Sequence, residues 1–198
     1  MLLCVTNRHL CRGDFLVRIE QLAQARPFAI MLREKDMDAG EYEALAIEVE
    51  TICKRNGVHL IIHQNETVAA KMQISYLHLP LPALRSMQRE AKSYIIGTSI
   101  HSVEEAKEAQ ALGANYVIAG HIYDTDSKKG LPGRGLSFLR DVCQAISMPV
   151  FAIGGITRDN AGDVLRTGAK GCCTMAEAMN CDHPGALVEK FLGAWRQA

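Results

Sequence analysis

His121, Lys128 and Lys129 fall in one glycine-rich stretch, residues 116–135 (YVIAGHIYDTDSKKGLPGRG), and are side chains that could move a proton on an anionic substrate. A neutral imidazole both accepts and returns a proton near neutral pH, and an ammonium holds an anion beside it. The same residues have a plainer reading: a histidine at a core edge, bonded to a backbone carbonyl, and a solvated basic turn. Position favours chemistry. Residues 116–119 are a short apolar, β-branched run that reads as a buried parallel strand, and in strand–helix repeats the side chains just past a strand's carboxyl end converge on the shared site.

Two glycine-bearing or helix-opening turns suggest what anchors the substrate. Residues 152–156 (AIGGI) close one apolar run, and Thr174-Met175-Ala176-Glu177 closes the next, directly before a helix start. In barrels of strand–helix units the turns after the seventh and eighth strands bind phosphate through backbone N–H groups. A side chain at Gly154 or Gly155 would keep the anion off the backbone. Gly154, Gly155, Met175 and Ala176 are therefore expected to bind phosphate, against the plainer reading of two ordinary turns.

Two further clusters end apolar runs. Residues 32–36 (LREKD) carry alternating charges that would ordinarily face solvent, yet on a catalytic rim Arg33 or Lys35 could receive a carboxylate or phosphate. In Gly97-Thr98-Ser99-Ile100-His101 the hydroxyls could simply cap the next helix, and His101 could lie on the surface.

The elements that must position these residues repeat one unit. Apolar runs at 2–6, 28–32, 59–62, 76–79, 94–98, 116–119, 150–153 and 171–174 read as strands. Stretches of helical period lie between them, such as Leu45, Val49, Ile52 and Cys53, or Ala106, Ala109 and Leu112. Ser102 with Glu105 forms a capping-box pattern that ends at Gly113, and Thr157 and Gly168 bracket the penultimate helix. Eight parallel strands with right-handed crossovers in one 198-residue domain predict a closed (β/α)₈ TIM barrel. An open doubly wound sheet is the alternative, but no G-x-G-x-x-G follows the first strand.

Composition sets the outer limits. With 48% hydrophobic residues the chain can bury a sizeable core, and 22 basic against 22 acidic residues leave no field to draw nucleic acid or a membrane surface. The expected partner is a small molecule. The start lacks the basic run and the length of a secretion signal, so a cytoplasmic protein is expected. Seven cysteines without C-x-x-C spacing read as buried free thiols rather than disulfides or a zinc site.

Taken together, LREKD, IGTSIH, AGHIYDTDSKKG, PVFAIGGI and the unit ending in GAKGCC resemble the thiamine phosphate synthase superfamily, from the first strand to the last helix. Within it the chain looks most like the TenI branch, whose enzymatic members are thiazole tautomerases. The departures from the synthase pattern favour that branch. Where synthases carry N-D-R and H-L-G-Q-E-D, whose aspartates hold magnesium on a diphosphate, this chain has His63-Gln64-Asn65 and residues 78–83 (HLPLPA). Met31 stands where synthases grip a pyrimidine with glutamine, and His121 stands where they have the proline of G-P-I.

The resemblance implies a metal-free, cofactor-free isomerase that converts a dihydrothiazole carboxylate ethyl phosphate into its aromatic isomer. His121 would shuttle the proton, and Arg33, Lys35, Ser99, His101 and Lys128 would contact the thiazole phosphate. It also implies a homo-oligomer, since relatives often pair. Whether loop 123–135 folds over substrate stays open, although its glycines allow hinge motion. Two alternatives remain: a non-catalytic regulator that binds a phosphorylated ligand, and a thiamine phosphate synthase with unusual ligands.

Overall fold

The computed structural model describes residues 1–87 and 94–197. Its strands are β1 (Leu2–Val5), β2 (Ala29–Leu32), β3 (His59–His63), β4 (Tyr76–Pro80), β5 (Ile95–Ile100), β6 (Tyr116–Gly120), β7 (Val150–Ile153) and β8 (Gly171–Thr174). All pair in parallel and in chain order, and β8 closes on β1 through Leu3↔Cys173. The expected (β/α)₈ TIM barrel is the observed fold, and closure excludes the open sheet.

Strand parity divides the apolar residues into two sets, because successive side chains point to opposite faces. Leu3, Val5, Met31, Ile61, Ile118 and Phe151 fill the interior, whereas Leu2, Cys4, Ile30, Leu32, Ile62 and Leu77 pack outward on the helices. Both faces are buried, which is why the strands read as continuous apolar runs.

The helices are α1 (Phe15–Gln24), α2 (Ala39–Asn56), α3 (Glu66–Lys71), α4 (Leu81–Ser86), α5 (Val103–Ala111), α6 (Gly135–Ala145), α7 (Ala161–Leu165), α8 (Ala176–Asn180) and α9 (Pro184–Gln197). Val49, Ile52 and Cys53 of α2 and Ala106 and Ala109 of α5 are buried, as their period requires. Asp38 and Glu41 form a full capping box on α2, and Gly57 ends that helix at φ 69°. At α5 the Ser102 hydroxyl accepts from the Glu105 amide, but the Glu105 carboxylate reaches past Ser102 to the His101 amide. The helix bracketed by Thr157 and Gly168 is shorter than expected, since α7 opens only at Ala161. The Thr157 carbonyl accepts from both Asn160 and Ala161, so a turn precedes the helix.

All seven cysteines are free, but only Cys4, Cys53, Cys172 and Cys173 are buried; Cys11, Cys143 and Cys181 are half-exposed on helix ends and connections. Among the described residues no helix is long and apolar enough to cross a membrane.

One interior contact leaves no slack. Gly97 faces Tyr116 across β5 and β6, and a Cβ at Gly97 would lie 2.0 Å from the Tyr116 ring. Gly97→Ala is expected to cost about 1–3 kcal/mol, the usual range for overpacking, read as a fall in urea midpoint. Tyr116→Val in the same chain should recover part of the loss, and an unshifted midpoint in the single variant would show that the ring swings aside freely.

Candidate active site

The carboxyl ends of the strands surround a cavity of about 990 Å³. His121 stands on its wall, 9% exposed, directly after β6. Two backbone bonds fix the segment that carries it, Ile122 N–H to the Ile153 carbonyl at 2.9 Å and Tyr123 N–H to the Gly154 carbonyl at 3.0 Å. The His121 ring meets the Leu131 carbonyl through Nε2 at 3.1 Å. A carbonyl only accepts, so Nε2 carries a hydrogen, and in the neutral form of the ring the lone pair is on Nδ1.

Gly154 and Gly155 are glycines for a reason the sequence did not suggest. They adopt φ values of 100° and 62°. A Cβ on Gly154 would lie 2.3 Å from the His121 Cβ, and one on Gly155 would lie 2.5 Å from the Asp124 carbonyl oxygen. The bare backbone therefore admits the histidine segment as well as leaving its own N–H groups open. Among the described residues, none of the turn hydrogen bonds uses the Gly154 or Gly155 amide as donor. Met175 and Ala176 lie opposite, on the β8 turn, where no side chain caps α8. All four line the cavity.

Residues 124–132 of loop 123–135 line the cavity. The Asp124 carboxylate accepts from the Gly133 amide at 2.7 Å and pins the loop's neck, while Lys128, Lys129, Leu131 and Pro132 face the cavity. The Gly120 carbonyl accepts from His101 Nδ1 at 2.8 Å and from Arg134 Nε at 3.1 Å. His101 is thus exposed, as its plainer reading had it, yet it also rims the cavity.

The LREKD charges separate by role. Glu34 is buried and accepts from the Thr6 hydroxyl at 2.6 Å and the Arg8 amide, and Asp36 pairs with the Arg8 guanidinium at 2.6 Å. Arg33 lines the cavity without a salt bridge among the described residues, and burial lowers its pKa. Lys35 is exposed and lies off the cavity wall; the charge of Arg33, then burial and Lys128, lower its pKa.

Ser99 belongs to a network on the cavity floor that sequence reasoning missed. His78 Nε2 meets the Ser99 hydroxyl at 2.9 Å and Nδ1 meets the Tyr116 hydroxyl at 3.3 Å. The His63 ring stacks on His78 with centroids 5.9 Å apart. Strand parity could have found both histidines: Ile61 and Tyr76 face inward, so the residues two further on do too. Burial is the main cause that pushes both imidazoles down to about 3. Glu177 was also missed as a site residue. It lines the cavity with one carboxyl oxygen buried and unpartnered, and burial raises its pKa.

Magnesium belongs to the synthase pattern, and the residues at the matching positions do not fit it. Gln64 and Ala83 lie off the cavity wall, and the Gln64 backbone N–H donates to the His78 carbonyl at 2.9 Å. Among the described residues no group of three or more His, Cys, Asp or Glu could hold a metal ion. A hard dication needs several anionic oxygens in one place.

A closed parallel barrel with a cavity at the carboxyl ends of its strands is a TIM-barrel scaffold of the kind that carries its active site there. Residues 2–178 match the family described as thiamine monophosphate synthase, and the chain belongs to that family. It is 32% identical to a thiamine-phosphate synthase of Syntrophomonas wolfei subsp. wolfei, over 98% of this chain and 95% of that one. It is 34% identical to the thiamine-phosphate synthase of Coprothermobacter proteolyticus, over 89% and 85% of the two chains. Thiamine phosphate pyrophosphorylase from Pyrococcus furiosus superposes with a TM-score of 0.86 at 26% identity, covering 99% of this chain and 95% of that one. These relatives carry the synthase name and none is named a tautomerase or a TenI protein, so the comparisons favour the alternative that the residues had ranked last.

His78 sets an acid limit on the fold. Its ring is 1% exposed and refuses a proton until about pH 3, whereas in the unfolded chain it takes one below about 6.5. The stability it contributes is complete above pH 6.5 and falls as pH drops toward 3, by on the order of 1 kcal/mol per pH unit. His78→Gln should flatten the acid side of a plot of unfolding free energy against pH by about that slope; equal slopes in the two proteins would mean that the folded site accepts the proton.

Proposed function

We propose that this chain binds a phosphorylated thiazole and transfers a proton on it, as a thiazole tautomerase in thiamine biosynthesis. The observation that carries this reading is the seat of His121, an imidazole on the cavity wall whose Cβ packs against the Gly154 backbone of the anion turn. A phosphate on the Gly154–Gly155 and Met175–Ala176 amides would hold the ring of its ester beside that histidine.

The reaction needs a proton removed from the ring carbon that bears the carboxylate and one added at the exocyclic carbon, so that aromaticity is gained and no charge is left over. Nδ1 of His121 is free to accept the first proton, and the Leu131 carbonyl would steady the resulting imidazolium through Nε2–H. Lys128 and Arg33, both on the cavity wall, offer cations to the carboxylate, with Lys35 further out. Ser99 and His101 border the ring's space.

The synthase is the second reading, and the names of the relatives support it. The lost carboxylates at Gln64 and Ala83 weigh against it, because diphosphate departure needs its charge neutralised.

Mixing the protein with the dihydrothiazole product of a thiazole synthase and following the ultraviolet rise of the aromatic isomer tests the first reading. His121→Ala should slow the rise by about 10²–10⁴-fold, the usual share of a general acid–base group; an unslowed variant removes the histidine from the mechanism. Magnesium-dependent formation of thiamine phosphate from the pyrimidine diphosphate and thiazole phosphate would establish the synthase instead. Tight binding of carboxythiazole phosphate with neither turnover would leave a regulator.

A further inference from the structure

We infer that the Glu177 carboxyl group is a proton-carrying part of the anion site, donating a hydrogen bond to a bound phosphate and coupling its binding to proton uptake. The inference rests on the reading that the β7 and β8 turns hold phosphate, and deepens it by naming the charge state the site selects.

Glu177 follows Met175 and Ala176 in the first turn of α8 and lines the same cavity as Gly154 and Gly155. Its Oε2 is sealed from solvent and has no hydrogen-bond partner. A carboxylate oxygen left that way loses its hydration with nothing in return, a cost that protonation removes. An ionised carboxylate here would also repel an incoming oxyanion, whereas a protonated one supplies the donor that a phosphate oxygen accepts. The anion turns and the buried oxygen thus make opposite demands unless a proton sits between them.

The surrounding charges do not settle the matter by themselves. Arg158 and Asp159, in the turn after β7, are the charged residues that act on Glu177, in opposite directions and less than its burial does. Those two also pair with each other, at 3.5 Å. The short 3-10 turn Arg8–Leu10 packs on α8 as well, but its Arg8 and His9 are bound to Asp36. The connection from α8 to α9 carries Cys181, Asp182 and His183, and Cys181 feels the Glu177 charge. A phosphate would add two negative charges to this setting and push the Glu177 proton further on.

Calorimetry with inorganic phosphate and with sulfate, each in two buffers of different ionisation enthalpy, tests this between pH 6 and 8. Sulfate carries no proton of its own in that range, so any proton taken up when it binds goes to the protein. The parent should take up a proton, and its affinity should fall by up to about tenfold per pH unit as pH rises. Glu177→Gln, which keeps the shape and a permanent N–H donor, should abolish the uptake and bind sulfate about tenfold more tightly than the parent at pH 8. Gained affinity cannot come from misfolding, and the parent's proton uptake needs no variant. Sulfate or phosphate binding without proton uptake, or an unchanged uptake in Glu177→Gln, overturns the inference, as does the failure of both oxyanions to bind. Proton-linked binding in a protein that never isomerises the thiazole supports it while removing the catalytic reading.

Discussion

The site depends on one contact between two backbones: the turn after β7 lies flush against the chain leaving β6. Ile122 and Tyr123 donate to the carbonyls of Ile153 and Gly154, and the absence of a Cβ at Gly154 and Gly155 lets the two segments approach this closely. The proton-transfer candidate and the anion-binding candidate are therefore parts of one rigid joint. A histidine on a free loop would wander by far more than the fraction of an ångström that proton transfer tolerates. Both glycines adopt left-handed φ values, so side chains there would be strained as well as crowded.

Polar groups elsewhere in the barrel mouth are arranged to stay out of the way. Glu34 and Asp36 are committed to Thr6 and Arg8, which keeps these two carboxylates off the cavity wall and leaves Arg33 without a salt bridge among the described residues. On the floor, His78 is buried, but the hydroxyls of Ser99 and Tyr116 occupy both of its nitrogens, so its neutral form is satisfied. The cavity thus has cations on the side of β2 and the β6 loop, the glycine turn after β7 and the start of α8, and an imidazole on the same wall. Such a distribution suits a ligand with anionic groups at two ends.

Family membership and reaction are separate questions here because they rest on different residues. The match over residues 2–178 spans the barrel from β1 into α8. The reaction depends on a few side chains at strand ends, which relatives at 32% identity are free to differ in. Met31, Gln64, Ala83 and His121 are such positions, at which this chain departs from the synthase pattern it resembles.

The sequence alone determined the strands, their order and the ends at which chemistry would gather. Runs buried on both faces are unbroken in apolar residues, and turns are marked by glycine and capping residues, so each element is written locally. That information was enough to place His121, Lys128, Gly154, Gly155, Met175 and Ala176 at one rim. Tertiary structure decided what these positions do to one another. Only the closed barrel shows that Gly154 is bare to admit His121, that Glu34 turns to Arg8 while Arg33 turns to the cavity, and that Lys35 lies off its wall. The His63–His78–Tyr116 floor likewise joins residues from three strands, and the unpartnered Glu177 oxygen comes to the same cavity from a helix; such placements follow from closing the ring rather than from any neighbouring pair in the chain.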